Sequence, residues 1–175
     1  MNTSSQFIIA THIMVILAFR QILANERRVV NSDMLAISVN TNPVVIRRTV
    51  SQLKKAGLVY SQSGPKGGAV LARDAQKITL ADVYQAVENN ALFHMHYGAP
   101  NEKCAVGKNI QASLCGIIDE AQQAVAEALG KKTIHEITED IMDRSVISEK
   151  LASGITPLQI DEMISREFAG MNKKK

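Results

Sequence analysis

The sequence predicts a mainly α-helical chain carrying one small β-hairpin, and three features predict it. Residues 5–24 are apolar around most of a helical circumference. Residues 32–71 hold two capped helical runs followed by two extended runs around a Gly/Pro tip. Apolar residues then recur at helical spacing from 105 to 129. Composition agrees: with 46% apolar and 21% charged residues, the 175-residue chain is globular and long enough for a sizeable core. Only 4% of residues are aromatic and Trp is absent, so the core must rely on Ile, Val, Leu, Met and Ala, which suits helices.

In the first element, the longest apolar stretch runs from Phe7 to Phe19 and includes Thr11 and His12. Its 13 residues are fewer than a bilayer span needs. No positive charge precedes it and no small-residue cleavage site follows, so neither a membrane span nor a signal peptide is expected. A cytoplasmic chain follows, in which the two cysteines, Cys104 and Cys115, stay reduced. His12 reads as a hydrogen-bonded core residue.

Asn31-Ser32-Asp33 offers caps for a short helix to about Val39. Asn40-Thr41-Asn42-Pro43 breaks the chain and restarts it, with Asn42 suited to the N-cap and Pro43 to the first helical position. This second helix runs to about Ala56, and Gly57 stops it. Ile46, Val50, Leu53 and Gly57 fall on one arc, whereas Val44, Arg47, Arg48, Ser51 and Lys55 occupy the other. Leu58–Ser61 and Ala69–Leu71 flank Gly64-Pro65-Lys66-Gly67-Gly68 and read as a hairpin. Helix, short helix, tight turn, amphipathic helix and hairpin, in that order, make a winged helix-turn-helix.

Charge divides along the chain. Residues 1–75 carry nine Lys/Arg against three Asp/Glu, a charge of +6, and residues 76–175 carry eleven against fourteen, or −3. A basic first half is expected to meet a polyanion, and double-stranded DNA fits the element order. Arg47 or Arg48 can fork onto a guanine edge, Asn42 or Ser51 can bond a base or phosphate, and Val44 can touch a thymine methyl. Lys55 extends the cationic face. Ser32, Thr41 and the helix start at 32 suit phosphate. On the wing, Lys66 between glycines, with Gly67 and Gly68, suits a narrow groove.

Thr79-Leu80-Ala81-Asp82 resembles a capping box, opening a helix to about Glu88, and residues 89–103 read as loop or weakly extended. In the long helix from Cys104 or Ala105 to Leu129, closed by Gly130, an apolar stripe includes Ile110, Leu114, Ile117, Ile118, Ala121 and Val125. That stripe exceeds what a small winged domain can cover, so a homodimer is expected through it. Capping boxes at Thr133–Glu136 and Thr156–Gln159 open helices to about Met142 and Phe168, with Gly170 beyond the second and a frayed tail from Met171. Three regions follow: a winged DNA-binding domain at 1–75, a linker and dimerisation region at 76–144, and a C-terminal helical extension at 145–175.

Several segments resemble the Rrf-two family of winged-helix regulators. They are Phe7-Ile8-Ile9-Ala10-Thr11-His12-Ile13, Leu53-Lys54-Lys55-Ala56-Gly57-Leu58-Val59, Ile78-Thr79-Leu80-Ala81-Asp82-Val83 and, most specific, Ser63-Gly64-Pro65-Lys66-Gly67-Gly68. The family includes the iron–sulfur cluster regulator, a nitric-oxide-sensing repressor and a cysteine-metabolism repressor. The resemblance covers residues 5 to about 140. It implies a homodimer joined through the long helix, with recognition helices in successive major grooves and wings at the minor groove, and a repressor is expected. Iron–sulfur members carry three closely spaced cysteines at the start of that helix. Here Cys104 stands where such a run would begin, Cys115 follows eleven residues on, and there is no third, so no cluster or other cofactor is expected.

Cys104, at a helix start between Lys103 and Lys108, is a candidate sensor thiol for an oxidant, the alternatives being a small ligand as signal and a packing role. Cys115 reads as a small buried hydrophobe. His94 and His96 share a face if extended and can approach Cys104, which leaves a zinc or copper site as an alternative without specific DNA binding. A thiol enzyme is not expected, since neither a Cys–His signature nor a nucleotide-binding glycine motif is present. A winged helix serving only protein interaction would leave the +6 half without a purpose.

Overall fold

The computed structural model describes residues 3–64, 67–87 and 98–172. Helix α1, Thr3–Ala24, is the central element: Ala10, Ile13, Met14, Leu17 and Ala18 are all buried in one cluster with residues from Val30 to Val87 and with Ile134. His12 lies half-buried on it, with Nε2 3.3 Å from Ser38 Oγ. By length and composition, Ser5–Ala24 is apolar enough to cross a membrane. The window outruns Phe7–Phe19 because Ile22, Leu23 and Ala24 extend the apolar average past the polar interruptions, and a core helix passes the same test without crossing a membrane. The same hydropathy serves a core helix packed against α1's neighbours on several sides.

Helix α2, Ser32–Val39, is capped by Asn31, whose side chain accepts from the Met34 N–H at 2.8 Å. Asn40 ends it in the left-handed region at φ 52°. Helix α3, Pro43–Lys55, starts on Asn42, whose Oδ1 accepts from the Val44 N–H at 2.8 Å, with Pro43 inside the first turn. Gly57 stops it at φ 69°; the Gly57 N–H donates to Lys54 and the Leu58 N–H to Leu53, both at 3.0 Å. This closure also brings two buried side chains, Leu53 and Leu58, to the helix end.

Strands β1, Val59–Gln62, and β2, Gly68–Leu71, pair antiparallel from Val59 opposite Leu71 to Gln62 opposite Gly68. Val30 adds an isolated bridge to Ala69, so the chain entering α2 is stitched to the wing. After a 3-10 turn at Ala75–Lys77, α4 spans Leu80–Val87, with Thr79 and Asp82 capping each other reciprocally. The buried core continues beyond residue 75 through Ile78, Val83, Val87 and Ile134.

Helix α5, Ala105–Gly130, is 26 residues and about 39 Å long. Gly130 proves to be its last helical residue rather than the stop, and Lys131 forms the C-cap in right-handed geometry. Helix α6, Ile134–Arg144, opens on the full Thr133–Glu136 box and returns to α1. A short α7, Val146–Ala152, was not anticipated; Ser145 ends α6 and caps α7. Helix α8, Pro157–Asn172, runs through Gly170 instead of ending near Phe168, because glycine in right-handed backbone lowers helix propensity without breaking the helix. It packs on α1 and α2, with Ile160 and Asp161 fully buried.

Candidate nucleic-acid interface

Three buried side chains orient α3. Ile46 and Leu53 are sealed in the core, and Thr49 between them is buried with its hydroxyl donating to the Val45 carbonyl at 3.0 Å. Rotation about the helix axis is thereby fixed, and Arg47, Arg48, Ser51 and Lys55 are all exposed on the far side. Val44, a β-branched apolar residue in the first turn, is 61% exposed. Water is a poor environment for that side chain, and a groove carrying methyl groups is a better one.

The other predicted contacts lie on the same helix-turn-helix. Asn42 is exposed and Thr41 half-buried in the turn, and Ser32 is half-buried at the start of α2. The Asn42 carbonyl oxygen is committed to its cap, which leaves its amide NH2 to donate outward.

The wing is a backbone device. Gly64 sits at φ 115°, and the Gly67 N–H donates to the Gly64 carbonyl at 2.9 Å. A Cβ on Gly67 would fall 2.2 Å from the Gln62 carbonyl oxygen, so only glycine lets the chain fold back so tightly here. Lys66 lies outside the described residues. Lys54, unremarked in the sequence, donates from Nζ to the Ser61 carbonyl at 3.0 Å and ties α3 to β1. Tyr60, also missed, stands 60% exposed on β1, with the alternation of Val59 in and Tyr60 out as its only sequence signal.

The predicted stripe on α5 is open. None of the helix's residues is buried; Leu114 is 41% and Ile117 62% exposed, while Ile110, Ile118, Ala121 and Val125 are partly covered. Cys104 is the exposed N-cap of α5 and makes no side-chain capping hydrogen bond. The backbone N–H groups of Gly107 and then Val106 favour its thiolate and hold the thiol below its ordinary value; they, not the neighbouring lysines, are the cause. Cys115 is exposed too, its Sγ 3.9 Å from Asp119 Oδ2, which corrects the expectation that it is buried. Among the described residues, nothing covers Cys115 on that side of α5. His94 and His96 lie outside the described residues.

A fixed, cationic helix beside a glycine-hinged hairpin, on a helical core, defines a winged helix-turn-helix DNA-binding regulator rather than an enzyme. The chain belongs to the Rrf2 family: the family's model, described as iron-dependent transcriptional regulator, matches residues 3–140. It is 43% identical over 108 residues to YwnA of Bacillus subtilis (strain 168), named as a candidate HTH-type transcriptional regulator, covering 61% of this chain and 80% of YwnA. A crystal structure described as a candidate DNA-binding protein is 33% identical, with TM-score 0.57 over 75% of this chain and 97% of that one. The same fold is found in CymR, the global cysteine regulator of B. subtilis, at 22% identity and TM-score 0.55, covering 77% and 93% of the two chains.

Among the described residues, no donor set matches the iron dependence in the family's description. Its two cysteines lie at the cap of α5 and eleven residues along it, about 16 Å apart at the helical rise. Among the described residues no group of three His, Cys, Asp or Glu side chains is placed to hold a metal ion.

Proposed function

We propose that this regulator is a cytoplasmic homodimeric repressor that reads a palindromic operator. The observation that carries the reading is the outward face of α3, where Val44, Arg47, Arg48, Ser51 and Lys55 are exposed on a helix whose inner face is sealed. In this reading α3 enters the major groove and an arginine forks onto guanine O6 and N7. Ser32, Thr41 and Asn42 hold the flanking phosphates, and Lys66 with Gly67 and Gly68 approaches the minor groove. The open stripe of α5, from Ile110 through Leu114, Ile117, Ile118 and Ala121 to Val125, is the dimer seam, supported by its exposure in one chain. Two recognition helices then face half-sites about 34–36 Å apart. An operator occupied in this way blocks a promoter.

The signal is read as an oxidant at Cys104, because that thiol is exposed and the helix start favours its thiolate. A small ligand is the competing signal.

The test selects genomic fragments on the purified full-length protein and measures retention against salt, with sedimentation in parallel. A dimer that retains a shared two-half-site sequence with a steep salt dependence supports the reading. A monomer, or equal retention of random DNA, overturns it.

A further inference from the structure

The C-terminal extension lies beyond the residues matched by the family, which end at 140, yet it supplies the partner for a buried charge in the N-terminal helix. Arg20, in α1, is only 6% exposed, and its Nε lies 2.9 Å from Oδ1 of the fully buried Asp161 in α8. Its Nη2 donates to Ser165 Oγ at 2.8 Å and its Nη1 to the Asp161 backbone carbonyl at 3.4 Å. The other carboxylate oxygen of Asp161 accepts from Nη1 of Arg28. One carboxylate therefore bridges two guanidinium groups that would otherwise repel each other across the end of α1.

Arg28 stands at a sensitive place. Two residues on, Val30 exchanges backbone hydrogen bonds with Ala69 of the wing, and three residues on, Asn31 caps α2. Helix α8 also packs directly on α2. The segment 25–31 has no helix or sheet of its own beyond the Val30 bridge, so its course depends on what anchors it at either end.

We propose that Asp161 is a positioning residue of the DNA-reading unit. It anchors Arg28 against Arg20 and so sets where α2 and the wing stand relative to α3. The proposal rests on the reading of α2, α3 and the wing as the DNA-contacting surface. Without the carboxylate, Arg20 is left buried and unpaired, which is strongly unfavourable, and the segment carrying Arg28 must move to let water reach the charge. The wing and the start of α2 follow it through Val30 and Asn31.

The sign of the effect separates positioning from charge and from plain stability. Asp161→Asn removes a negative charge, so electrostatics alone would tighten DNA binding. Positioning predicts that binding weakens. The experiment uses the full chain as wild type, Asp161→Asn and Arg28→Lys, the last keeping its charge at a side chain that is 35% exposed. Affinity for a fragment selected with the wild type is measured per active dimer by stoichiometric titration, alongside amide hydrogen exchange at Val30 and Ala69. The expected result is a loss of about tenfold in specific affinity, the size of a typical coupling between sites, with faster exchange at both amides. Unchanged affinity and unchanged exchange, even with a lower melting temperature, would reduce Asp161 to a stabilising contact and overturn the proposal. A wild type that binds no DNA overturns the DNA-contact reading together with the proposal, whereas unchanged exchange in the variants overturns the proposal alone.

Discussion

Val30 and Ala69 are joined by a reciprocal pair of backbone hydrogen bonds, 3.0 Å from the Val30 N–H and 2.8 Å from the Ala69 N–H. The pairing makes the chain that enters the first helix of the helix-turn-helix a third, one-residue strand of the wing. It has a steric consequence at the neighbouring glycine. A Cβ on Gly68 would sit 2.4 Å from the Val30 carbonyl oxygen and 2.7 Å from Val29 Cγ1.

Gly68→Ala should therefore destabilise the protein by about 1–3 kcal/mol through overpacking against backbone that cannot yield. Gly64→Ala meets nothing within 4 Å and should lose only about 1 kcal/mol from its positive φ. Urea unfolding of both variants checks the order. A Gly68→Ala midpoint equal to that of wild type would show that the wing moves freely from Val30.

Arg47→Ala or Arg48→Ala should weaken operator binding by about 1–3 kcal/mol per base contact and relax sequence preference. Lys66→Ala should weaken specific and random DNA alike, with the salt slope falling by about two units for two copies per dimer. Titrations at several salt concentrations distinguish them. Equal losses on both kinds of DNA for all three variants remove α3 as the reading face.

Ile117 is exposed in a single chain, so Ile117→Asp should leave the fold intact while burying an unpaired carboxylate in the dimer at a cost of several kcal/mol. Sedimentation should show dimer for wild type and monomer for the variant at micromolar protein. Dimeric Ile117→Asp places the seam elsewhere.

Cys104 should react with iodoacetamide at a lower pH than an ordinary thiol, since the amides of Gly107 and Val106 favour the thiolate. In the sensor reading, peroxide or hypochlorite releases wild type from its operator and leaves Cys104→Ser bound. Equal release of the two proteins assigns the signal to another group.

His12 titrates in the opposite sense to a stabilising ion pair. Burial lowers its pKa below the ordinary 6.5, so the unfolded chain takes up a proton at a pH where the folded one does not. Its contribution is intact above pH 6.5 and is lost as the pH falls from there toward the lowered value. His12→Gln should flatten that part of the stability curve, as read by denaturant melts between pH 7.5 and about 5. A variant curve parallel to wild type across that window would assign the loss to other groups.

What could be read without the fold is what acts over a few residues. Asn31 and Asn42 cap their helices, Gly57 stops α3, and Thr133 and Glu136 close a box, because each motif satisfies backbone groups within one turn of itself. The arc of Arg47, Arg48, Ser51 and Lys55 follows from the 100° step of a helix, and the family resemblance was legible in the wing. The sequence could not decide the end of α8, since a glycine at 170 stops a helix only if the chain beyond prefers to turn. Nor did local pattern show that Cys115 is exposed, because a stripe on an uncovered helix has no inside.

By itself, then, the sequence determined the elements other than α7 and the 3-10 turn, the winged helix-turn-helix order and the side of α3 that carries charge. Only the tertiary structure decided that Asp161 belongs with Arg20, 141 residues away, and with Arg28. No propensity or periodicity links such positions. Their pairing arises because packing α8 on α1 takes both charges out of water at once, and a buried charge has to find its counterpart wherever the fold brings one.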